Sequence, residues 1–400
     1  MGPRARGMDG FDRELAQPIR VRRPRRWGRW VALAAAGLAL LILIASLVRV
    51  LGMRYPVVAN AVEPPADRWR LLRGVVHWSV AADAHPEVLA EEMSRAFEAG
   101  LDFVVLAAGD AAGAAEAAAN APLAVIVAQR VCGPNGCYLA AGTERPPAAG
   151  DALTFDRVRR LGGWTTVVQA LDAERGWRAW DRLRPDAFEF LDARHQTASL
   201  GPWGWLQRGL GGLLGSPAGL DHLGRRPVAG LAHWDDYSRD GVVHGLCGSG
   251  DSGELAVPLT YLLVRDGLGP YGPSDVAAAL RAGHHFCALP FYGDPGGFRF
   301  LAVPGGGGEV LGVMGDRIAL GDGVDLVADL NLTAPDQAVA LVLYQDGVEV
   351  ARQRGGQLVH RATAPGCYRV EAETLGGTLP WGSAPRVYLY SNPIFVAKGR

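Results

Sequence analysis

The chain has 400 residues, of which 49% are apolar, and its formal net charge is −1 at pH 7. This length allows two globular domains and a tail, and the apolar fraction is sufficient for a sizeable core. The balanced charge argues against a nucleic-acid partner, which would require a basic surface, so we expect none. Lys398 is the only lysine, and arginine therefore carries nearly all of the positive charge.

The N-terminal region separates positive charge from apolar residues. Nine arginines fall in residues 1–30, and residues 31–48 carry no charged side chain. Eighteen helical residues span about 27 Å, close to one hydrocarbon core. We predict a basic cytoplasmic tail over 1–30 and a transmembrane signal anchor over 31–51. The arginine excess before the anchor predicts a single-pass protein of the inner (cytoplasmic) membrane, with its N terminus in the cytoplasm and the bulk of the chain in the periplasm.

A cleaved signal peptide is the alternative interpretation of this segment. Ala59-Asn60-Ala61 is an acceptable cleavage pattern. The apolar run is long for a signal peptide, however, and the pattern lies beyond Arg49 and Arg54. We therefore favour the uncleaved anchor. Residues 52–70 are rich in proline and polar groups and predict a short linker from the membrane.

From Leu71 to about Tyr292, short apolar strands alternate with helical stretches. This alternation predicts a parallel sheet covered by helices, which we interpret as an α/β barrel over residues 71–292. Ser274 is expected to cap the last helix and Gly283 to follow its end. The predicted strands are Leu71–His77, Phe103–Leu106, Leu123–Ala128, Thr165–Gln169, Ala187–Leu191 and Val242–Cys247, and the predicted helices are Pro86–Ala99, Trp177–Leu183 and Ser274–Ala282.

The pattern changes at Gly293. Short alternating strands separated by turns follow, and they predict a small all-β, immunoglobulin-like sandwich over 293–400. Asp346-Gly347 between two such strands predicts a hairpin. The predicted strands are Phe298–Val303, Asp325–Leu332, Val339–Tyr344, Val348–Arg352, Cys367–Glu373 and Val387–Tyr390.

The five cysteines bear on the compartment of the protein. Cys132 and Cys137 flank a Gly-Pro-Asn-Gly turn and could close a small disulfide loop outside the cytoplasm. Two buried thiols are the equally open alternative. Cys247, Cys287 and Cys367 lie in apolar surroundings and are expected to be core residues.

The start of the barrel region carries a motif that resembles a known family. A strand leads into His77, a turn and a helix follow, and a second apolar strand ends near Leu106. This layout resembles the PHP (polymerase and histidinol phosphatase) family of metal-dependent phosphoesterases. In that family the first strand ends in His-x-His and the second in Thr-Asp-His. Here the two positions read His77-Trp78-Ser79 and Ala107-Ala108-Gly109.

Later landmarks of that family follow in the same order. Glu189 and Asp192 match its Glu-x-x-Asn pattern, and Gly248-Ser249 matches the start of Gly-Ser-Asp-Ala-His, where Asp251 could stand in for a ligand. The resemblance implies a distorted (β/α)7-type barrel followed by a sandwich. It also implies that the metal ligands are largely lost, because their positions are taken by Ser79, Ala108, Gly109, Arg130, Cys137 and Ala170.

These replacements determine the expected chemistry of the site. They cannot hold a metal cluster, and the fixed charge of Arg130 would repel a cation. We therefore expect no cofactor, and divalent Mn, Zn or Fe only if the site is rearranged. If the resemblance holds, a residual pocket lies at the barrel mouth. Its candidate residues are His77, Asp110, Asp172, Glu189, Asp192, His233, Asp235 and Asp251. Two interpretations of His233 and Asp235 are open: a histidine base or ligand beside a carboxylate, or part of a solvated loop.

The sequence favours a pseudoenzyme on a PHP-like scaffold, anchored in the membrane and facing the periplasm. Its role would be to bind or assemble an unknown ligand or protein of the cell envelope. An active metal-dependent phosphoesterase with a rearranged site is the first alternative. A purely structural envelope module is the second.

Overall fold

The computed structural model describes residues 25–52, 69–79, 85–108, 111–142, 154–172, 176–250, 258–265, 271–321, 323–332, 339–375 and 385–399. The chain divides into two units, Met1–Val48 and Arg49–Arg400. Helix α1 (Arg25–Gly52) runs through the division. Its segment Trp27–Gly52 is long and apolar enough to cross a membrane, and an 18-residue window within it has a mean hydropathy of 2.8. The identity of the membrane and the orientation of the helix stay predictions.

The second unit begins with seven strands that form a closed barrel. They are β1 (Trp69–Ser79), β2 (Phe103–Ala108), β3 (Ala124–Gly133), β4 (Gly136–Ala141), β5 (Trp164–Val168), β6 (Ala187–Asp192) and β7 (His244–Gly250). Each pairs with the next in chain order, and β7 closes the barrel on β1. The accompanying helices are α2 (Pro86–Glu98), α3 (Ala111–Ala119), α4 (Phe155–Arg160), α5 (Ala193–Ala198), α6 (Pro202–Leu213), α7 (Val228–Asp240) and α8 (Pro273–Ala282).

One barrel strand departs from the parallel arrangement that the sequence predicts. β4 runs antiparallel to both β3 and β5, whereas the other barrel pairings are parallel. Only Pro134 and Asn135 separate β3 from β4. Two residues suffice for a hairpin, but a parallel connection requires a crossover of a dozen or more. The expectation of an all-parallel sheet is therefore wrong at this position.

Strand β1 (11 residues) pairs with different neighbours along its length. Its first half, Trp69 to Gly74, pairs antiparallel with β8 (Leu259–Arg265). Its second half pairs with β7 through Val76 and Trp78. β8 then pairs with β9 (His285–Ala288), which extends the sheet away from the barrel.

The remaining strands continue from that extension. β9 pairs with β18, so the barrel and six of the C-terminal strands (β12, β14, β15, β17, β18 and β19) belong to one continuous sheet. The boundary near Gly293 stays a prediction. The C-terminal strands are β10 (Arg299–Pro304), β11 (Gly312–Val313), β12 (Arg317–Ala319), β13 (Val324–Asp329), β14 (Val339–Gln345), β15 (Val348–Arg354), β16 (Gln357–Ala362), β17 (Gly366–Thr374), β18 (Arg386–Ser391) and β19 (Ile394–Ala397).

Two layers of C-terminal strands share one apolar core. Strands β10, β11, β13 and β16 form a separate four-stranded sheet. Phe300 and Leu326 from this sheet are fully buried in the same cluster as Leu341, Val370 and Tyr388 from the continuous sheet. Burial of these apolar faces against each other supplies the main driving force for this half of the unit.

Local signals explain where several elements begin and end. Pro86 starts α2, whose Leu89, Met93 and Ala96 are buried at helical spacing. The predicted hairpin at Asp346-Gly347 is confirmed, with positive φ values of 51° and 85° that match a tight turn. Gly283 ends α8 in the left-handed conformation, as predicted.

Two sequence-based predictions fail for local reasons. α8 begins after Gly272 and not at Ser274, because Pro273 occupies the first turn and Asp275 accepts a hydrogen bond from the Gly272 amide at 2.9 Å. The helix predicted over Trp177–Leu183 is absent, and the structure describes this segment as irregular. Trp177 is instead buried, donating its indole N–H to Tyr237.

The cysteines form two disulfides. Cys132 and Cys137 face each other across the β3–β4 hairpin and are bonded, as the disulfide alternative proposed. Cys247 and Cys287 are buried in the core, as predicted, and they are also bonded to each other, with Cα atoms 5.9 Å apart. Sequence spacing could not reveal this pair, because β7 and β9 are brought together only by the sheet. Cys367 is a buried free thiol.

Asn392 connects the end of the chain to the barrel. Its side-chain oxygen accepts the Gly245 amide at 2.7 Å, and its amide nitrogen donates to the carbonyls of Gly245 and His285 at 3.1 and 3.0 Å. Gly245 belongs to β7 and His285 to β9. One buried side chain therefore ties the turn after β18 to two strands far away in sequence.

Replacing Asn392 with alanine should lower the free energy of unfolding by about 2–4 kcal/mol, because three hydrogen bonds are lost and buried backbone groups remain unpaired. Chemical denaturation of the full chain in detergent, followed by circular dichroism, measures this loss. Gln357→Ala removes an exposed amide from β16 and should change the free energy by less than about 0.5 kcal/mol. Equal effects of the two substitutions would contradict the connecting role of Asn392.

Candidate functional site at the barrel end

A distortion of β1 places His77 at the carboxyl end of the barrel strands. The β1–β2 register shifts between Val75 and Trp78. His77 lies within this irregularity at φ 55°, a left-handed conformation that non-glycine residues seldom adopt. A bulge of this kind redirects a side chain, and such strain concentrates at functional sites.

The redirected imidazole contacts a buried carboxylate on β6. His77 Nδ1 lies 2.7 Å from Glu189 Oε1, and both side chains are about 1% exposed. Glu189 Oε2 accepts the backbone N–H of Gln169 at 2.9 Å. Gln169 also has a positive φ, 52°. The two carboxylate oxygens are therefore both engaged, each by a residue in a strained conformation.

Gly248 on β7 makes room for this pair. A Cβ atom at that position would overlap Glu189 Oε1 and lie 3.2 Å from His77 Cβ. Glycine is thus required here by space and not by backbone conformation.

A fixed positive charge lies beside the pair. The guanidinium of Arg130, on β3, donates a hydrogen bond to the side-chain oxygen of Gln169. Gln169 therefore joins Arg130 to Glu189 through its side chain and its backbone. We call His77, Arg130, Gln169, Glu189 and Asp192 the barrel-end cluster.

Two groups of the cluster have shifted pKa values. Burial, which disfavours the charged form, and the negative charge of Glu189 raise the pKa of Asp192 to about 7. Burial lowers the pKa of His77, but the charge and hydrogen bond of Glu189 outweigh it, and the pKa lies above its usual value. The imidazolium form of His77 is therefore more stable in the folded protein than in a freely exposed histidine.

Asp192 also has a structural role. It ends β6 and caps α5, accepting the backbone N–H groups of Arg194 and His195 at 2.8 and 3.2 Å. One carboxylate oxygen of Asp192 therefore caps the N terminus of α5. The resemblance placed Asp192 at a strand end, and the structure brings it into the electrostatic range of His77 and Glu189.

Several buried polar atoms at this end lack hydrogen-bond partners among the described residues: His77 Nε2, Ser79 Oγ and Gln129 Oε1. Ser79 ends β1, and Gln129 lies on β3 opposite Ala108 of β2. Buried polar groups are normally hydrogen-bonded, and each exception calls for an explanation. A polar molecule bound at this end would supply the missing partners.

The other predicted site residues are not members of the barrel-end cluster. Asp172 follows β5, and its backbone N–H donates to the Gln169 carbonyl at 3.1 Å. Asp110, Asp251 and Gly109 lie outside the described residues. Cys137 is bonded to Cys132, and Ala170 is buried.

His233 and Asp235 lie on helix α7, so the solvated-loop interpretation is wrong. His233 stacks on Trp180, with ring centroids 3.8 Å apart. Asp235 forms two hydrogen bonds of 2.8 and 2.9 Å with the fully buried guanidinium of Arg369. Arg369 is also paired with Glu371, which in turn binds Arg226. The carboxylate of Asp235 therefore joins α7 to β17, and both of its oxygens are engaged by Arg369.

Sequence reasoning missed Gln169 and Gln129. Neither residue type is a usual metal ligand or base, and no motif marks them. Position along the chain was the signal that could have found them. Gln169 ends the predicted strand Thr165–Gln169, and Gln129 directly follows the predicted strand Leu123–Ala128.

A cavity of about 420 Å³ lies away from this cluster, between α7 and the C-terminal strands. Asp346, Arg317 and Lys398 line it together with the buried Cys367. Burial raises the pKa of the Cys367 thiol, which makes it a poor nucleophile. The volume suits a small molecule, but the strained residues His77 and Gln169, which both contact Glu189, lie at the barrel end.

The donors that are present do not fit the metal cluster that the resemblance implies. His77 Nδ1 and Glu189 are bonded to each other, and Arg130 adds a fixed positive charge. Within the described ranges, no three His, Cys, Asp or Glu side chains are arranged to hold one ion. We derive no chemistry through a metal at this site.

Comparisons with known proteins give limited information. No family model matches the chain, and no curated protein matches it. A crystal structure of a two-domain protein from Bacteroides vulgatus, described as containing a predicted PHP-like metal-dependent phosphoesterase, is similar with a TM-score of 0.41 and 10% sequence identity. The similarity covers 84% of this chain and 99% of that one.

Replacing Glu189 with glutamine should lower the pKa of His77 to below its usual 6.5, because burial then acts without the opposing carboxylate. NMR titration of the histidine ring signals measures this shift, with the His77 signal assigned by its loss in His77→Gln. In the unsubstituted protein the raised pKa stabilises the fold fully below pH 6.5, and this contribution is lost as pH rises through the raised value.

Glu87→Gln is the matched control for this titration, because Glu87 is an exposed carboxylate on α2. It should leave the pKa of His77 unchanged. If Glu189→Gln also left that pKa unchanged, the pairing of His77 with Glu189 would be wrong.

Proposed function

We propose that this chain is a membrane-anchored, extracytoplasmic pseudoenzyme with a PHP-like barrel, and that the barrel end binds a polar ligand or partner without a metal cluster. The bonding of His77 to Glu189 carries the proposal. In a metal site both side chains would direct lone pairs at an ion. Here the carboxylate accepts from the imidazole and from the backbone of Gln169.

The charges of the site support binding without metal. The guanidinium of Arg130 is held by the side-chain oxygen of Gln169. Below its raised pKa, His77 adds a second positive group. Two cations balanced by Glu189 disfavour a divalent ion and favour a ligand that offers oxygen acceptors.

The buried polar atoms indicate what the ligand would provide. His77 Nε2 can donate when the ring is protonated, Ser79 Oγ can donate or accept, and Gln129 Oε1 accepts. None of the three has a partner among the described residues. A molecule with hydroxyl or anionic oxygen groups would satisfy them, and we propose that class for the envelope ligand.

The compartment follows from two independent features. α1 is long and apolar enough to span a membrane, and the arginine excess precedes it. Two disulfides suit an oxidising compartment such as the periplasm. We propose the inner membrane as the location of α1. We also interpret the C-terminal strands as an immunoglobulin-like sandwich, supported by the apolar core that their two sheets share.

A hydrolase with a rearranged site is the second candidate. The pKa of Asp192, about 7, would let this side chain exchange a proton at neutral pH. His77 lies beside it with its Nε2 unpartnered among the described residues. These two groups are the minimum for acid–base chemistry, and measurement of turnover separates this candidate from the first.

The purified full chain should contain less than one tightly bound transition metal per molecule, because the site opposes a cation. Elemental analysis measures the metal content. Phosphomonoesterase and phosphodiesterase assays with added manganese or zinc should show no turnover above background. Stoichiometric metal, with turnover that His77→Ala abolishes and His360→Ala retains, would overturn the pseudoenzyme and promote the hydrolase. His360 serves as the control because it lies on β16.

A reporter fused after Arg400 should be active only if it functions outside the cytoplasm. Nine arginines in residues 1–30 precede the apolar run, whereas Arg49 and Arg54 follow it, and this asymmetry retains the N terminus inside. A periplasm-dependent and a cytoplasm-dependent reporter at the same position give the comparison. Activity of the cytoplasm-dependent reporter alone would reverse the proposed topology.

A further inference from the structure

The cavity of about 420 Å³ lies where the end of α7 meets strands β12, β17 and β19. We call it the α7–β19 cavity. It shares no residue with the barrel-end cluster, and all of its lining residues belong to the second unit. Its volume falls within the range that small-molecule sites occupy. The charges around it indicate which class of molecule it fits.

Two of the charged side chains that line the cavity are matched by partners. Arg239, in the last turn of α7, forms an ion pair of 3.2 Å with Asp236. Asp240, which ends the helix, forms an ion pair of 3.2 Å with Arg184. Each pair combines one positive and one negative group, so α7 contributes no net charge to the cavity.

Two further cations line the cavity without a partner. Arg317, on β12, and Lys398, just after β19, form no ion pair or hydrogen bond with any residue in the described ranges. Asp346 supplies one negative charge, and its Oδ1 accepts the backbone N–H of Cys367 at 2.9 Å. The unmatched charge around the cavity is therefore positive.

The pairing of β12 with β19 places the two cations within reach of one ligand. Arg317 lies beside Phe395 in the parallel ladder, and Lys398 follows Phe395 by three residues. Three residues of extended chain span about 10 Å. Two long side chains that line one cavity can close this distance around a single oxyanion. The guanidinium would offer parallel donors and the ammonium a point charge.

Buried apolar side chains line the cavity beside these cations. Phe395 and Val396 of β19 are 7% and 4% exposed. The thiol of Cys367 also lines the cavity, and because burial raises its pKa it stays protonated and adds no negative charge. Apolar surface with a few charged groups at its edge is the usual composition of a small-molecule site.

We propose that the α7–β19 cavity binds a small organic anion. Arg317 and Lys398 hold its carboxylate or phosphate group, and Phe395 and Val396 contact its apolar part. This site is separate from the barrel-end cluster and does not depend on the function proposed for that cluster. Because both cations are exposed, salt screens them, and the affinity for the anion should fall as ionic strength rises.

Benzoate, benzamide and benzamidine test the proposal, because they share one shape and differ in charge. The first is an anion, the second is neutral and the third is a cation. Phenyl phosphate is added as the phosphate probe. Ligand-observed NMR titration of the full chain in detergent at low ionic strength measures each dissociation constant. Benzoate and phenyl phosphate should bind, benzamide should bind about tenfold more weakly or less, and benzamidine should not bind.

The tighter of the two anions identifies the chemical class of the ligand. Tighter binding of phenyl phosphate indicates a phosphate ester, and tighter binding of benzoate indicates a carboxylate. Raising the salt concentration should weaken both in the unsubstituted protein. Failure of both anions to bind, or equal binding of benzoate, benzamide and benzamidine, would overturn the anion site.

Substitutions locate the site. Arg317→Gln and Lys398→Gln should each weaken binding of the anions about tenfold, because each removes one charged donor. Both side chains are exposed, so the thermal unfolding of the variants should match that of the unsubstituted protein. Arg354→Gln is the matched control, since Arg354 is exposed on β15 and does not line the cavity, and it should leave the affinity unchanged.

Arg130→Gln separates this cavity from the barrel end. It should leave binding of the anions at the α7–β19 cavity unchanged. Binding that falls with Arg130→Gln and survives both Arg317→Gln and Lys398→Gln would assign the anions to the barrel-end cluster. That result would overturn the cavity proposal and support the proposed function of the barrel end.

Discussion

The pairing of β1 with three neighbours is the constraint on which the rest of the structure depends. Its second half closes the barrel on β7, and its first half starts the extension through β8. From β8 the sheet passes through β9 to the C-terminal strands. A break in β1 would therefore open the barrel and detach the C-terminal layers together. The irregularity at His77 lies in the half that closes the barrel, so the strained residue is held by the surrounding ladder.

Buried charge has different consequences at two places in this unit. The guanidinium of Arg369 is matched by Asp235 and Glu371 and lies 4.6 Å from the centroid of the Tyr344 ring. Its charge and hydrogen bonds are satisfied, and the network holds α7 to β17. The barrel-end cluster combines a matched pair, His77 with Glu189, with atoms that have no partner among the described residues. The buried polar atoms at the barrel end therefore differ from the Arg369 network in their hydrogen bonding.

The buried carboxylate of Glu189 depends on its neighbours. Burial of an unpaired carboxylate is costly, so a nearby source of positive charge stabilises it. His77 contacts Glu189 directly, and Arg130 reaches the same region through Gln169. Gly248 leaves the space that the carboxylate needs.

The sequence by itself determined the elements with strong local signals. Alternation predicted the barrel strands, the apolar run predicted α1, and Asp346-Gly347 predicted its hairpin, because each depends on residues close together in the chain. The positions of His77 and Glu189 at strand ends came from the family resemblance. Only the tertiary structure decided which groups meet. The 2.7 Å contact of His77 with Glu189 and the bond between Cys247 and Cys287 join distant residues. The antiparallel β4 and the commitment of Asp235 to Arg369 likewise depend on how strands and helices pack, and no local pattern records that packing.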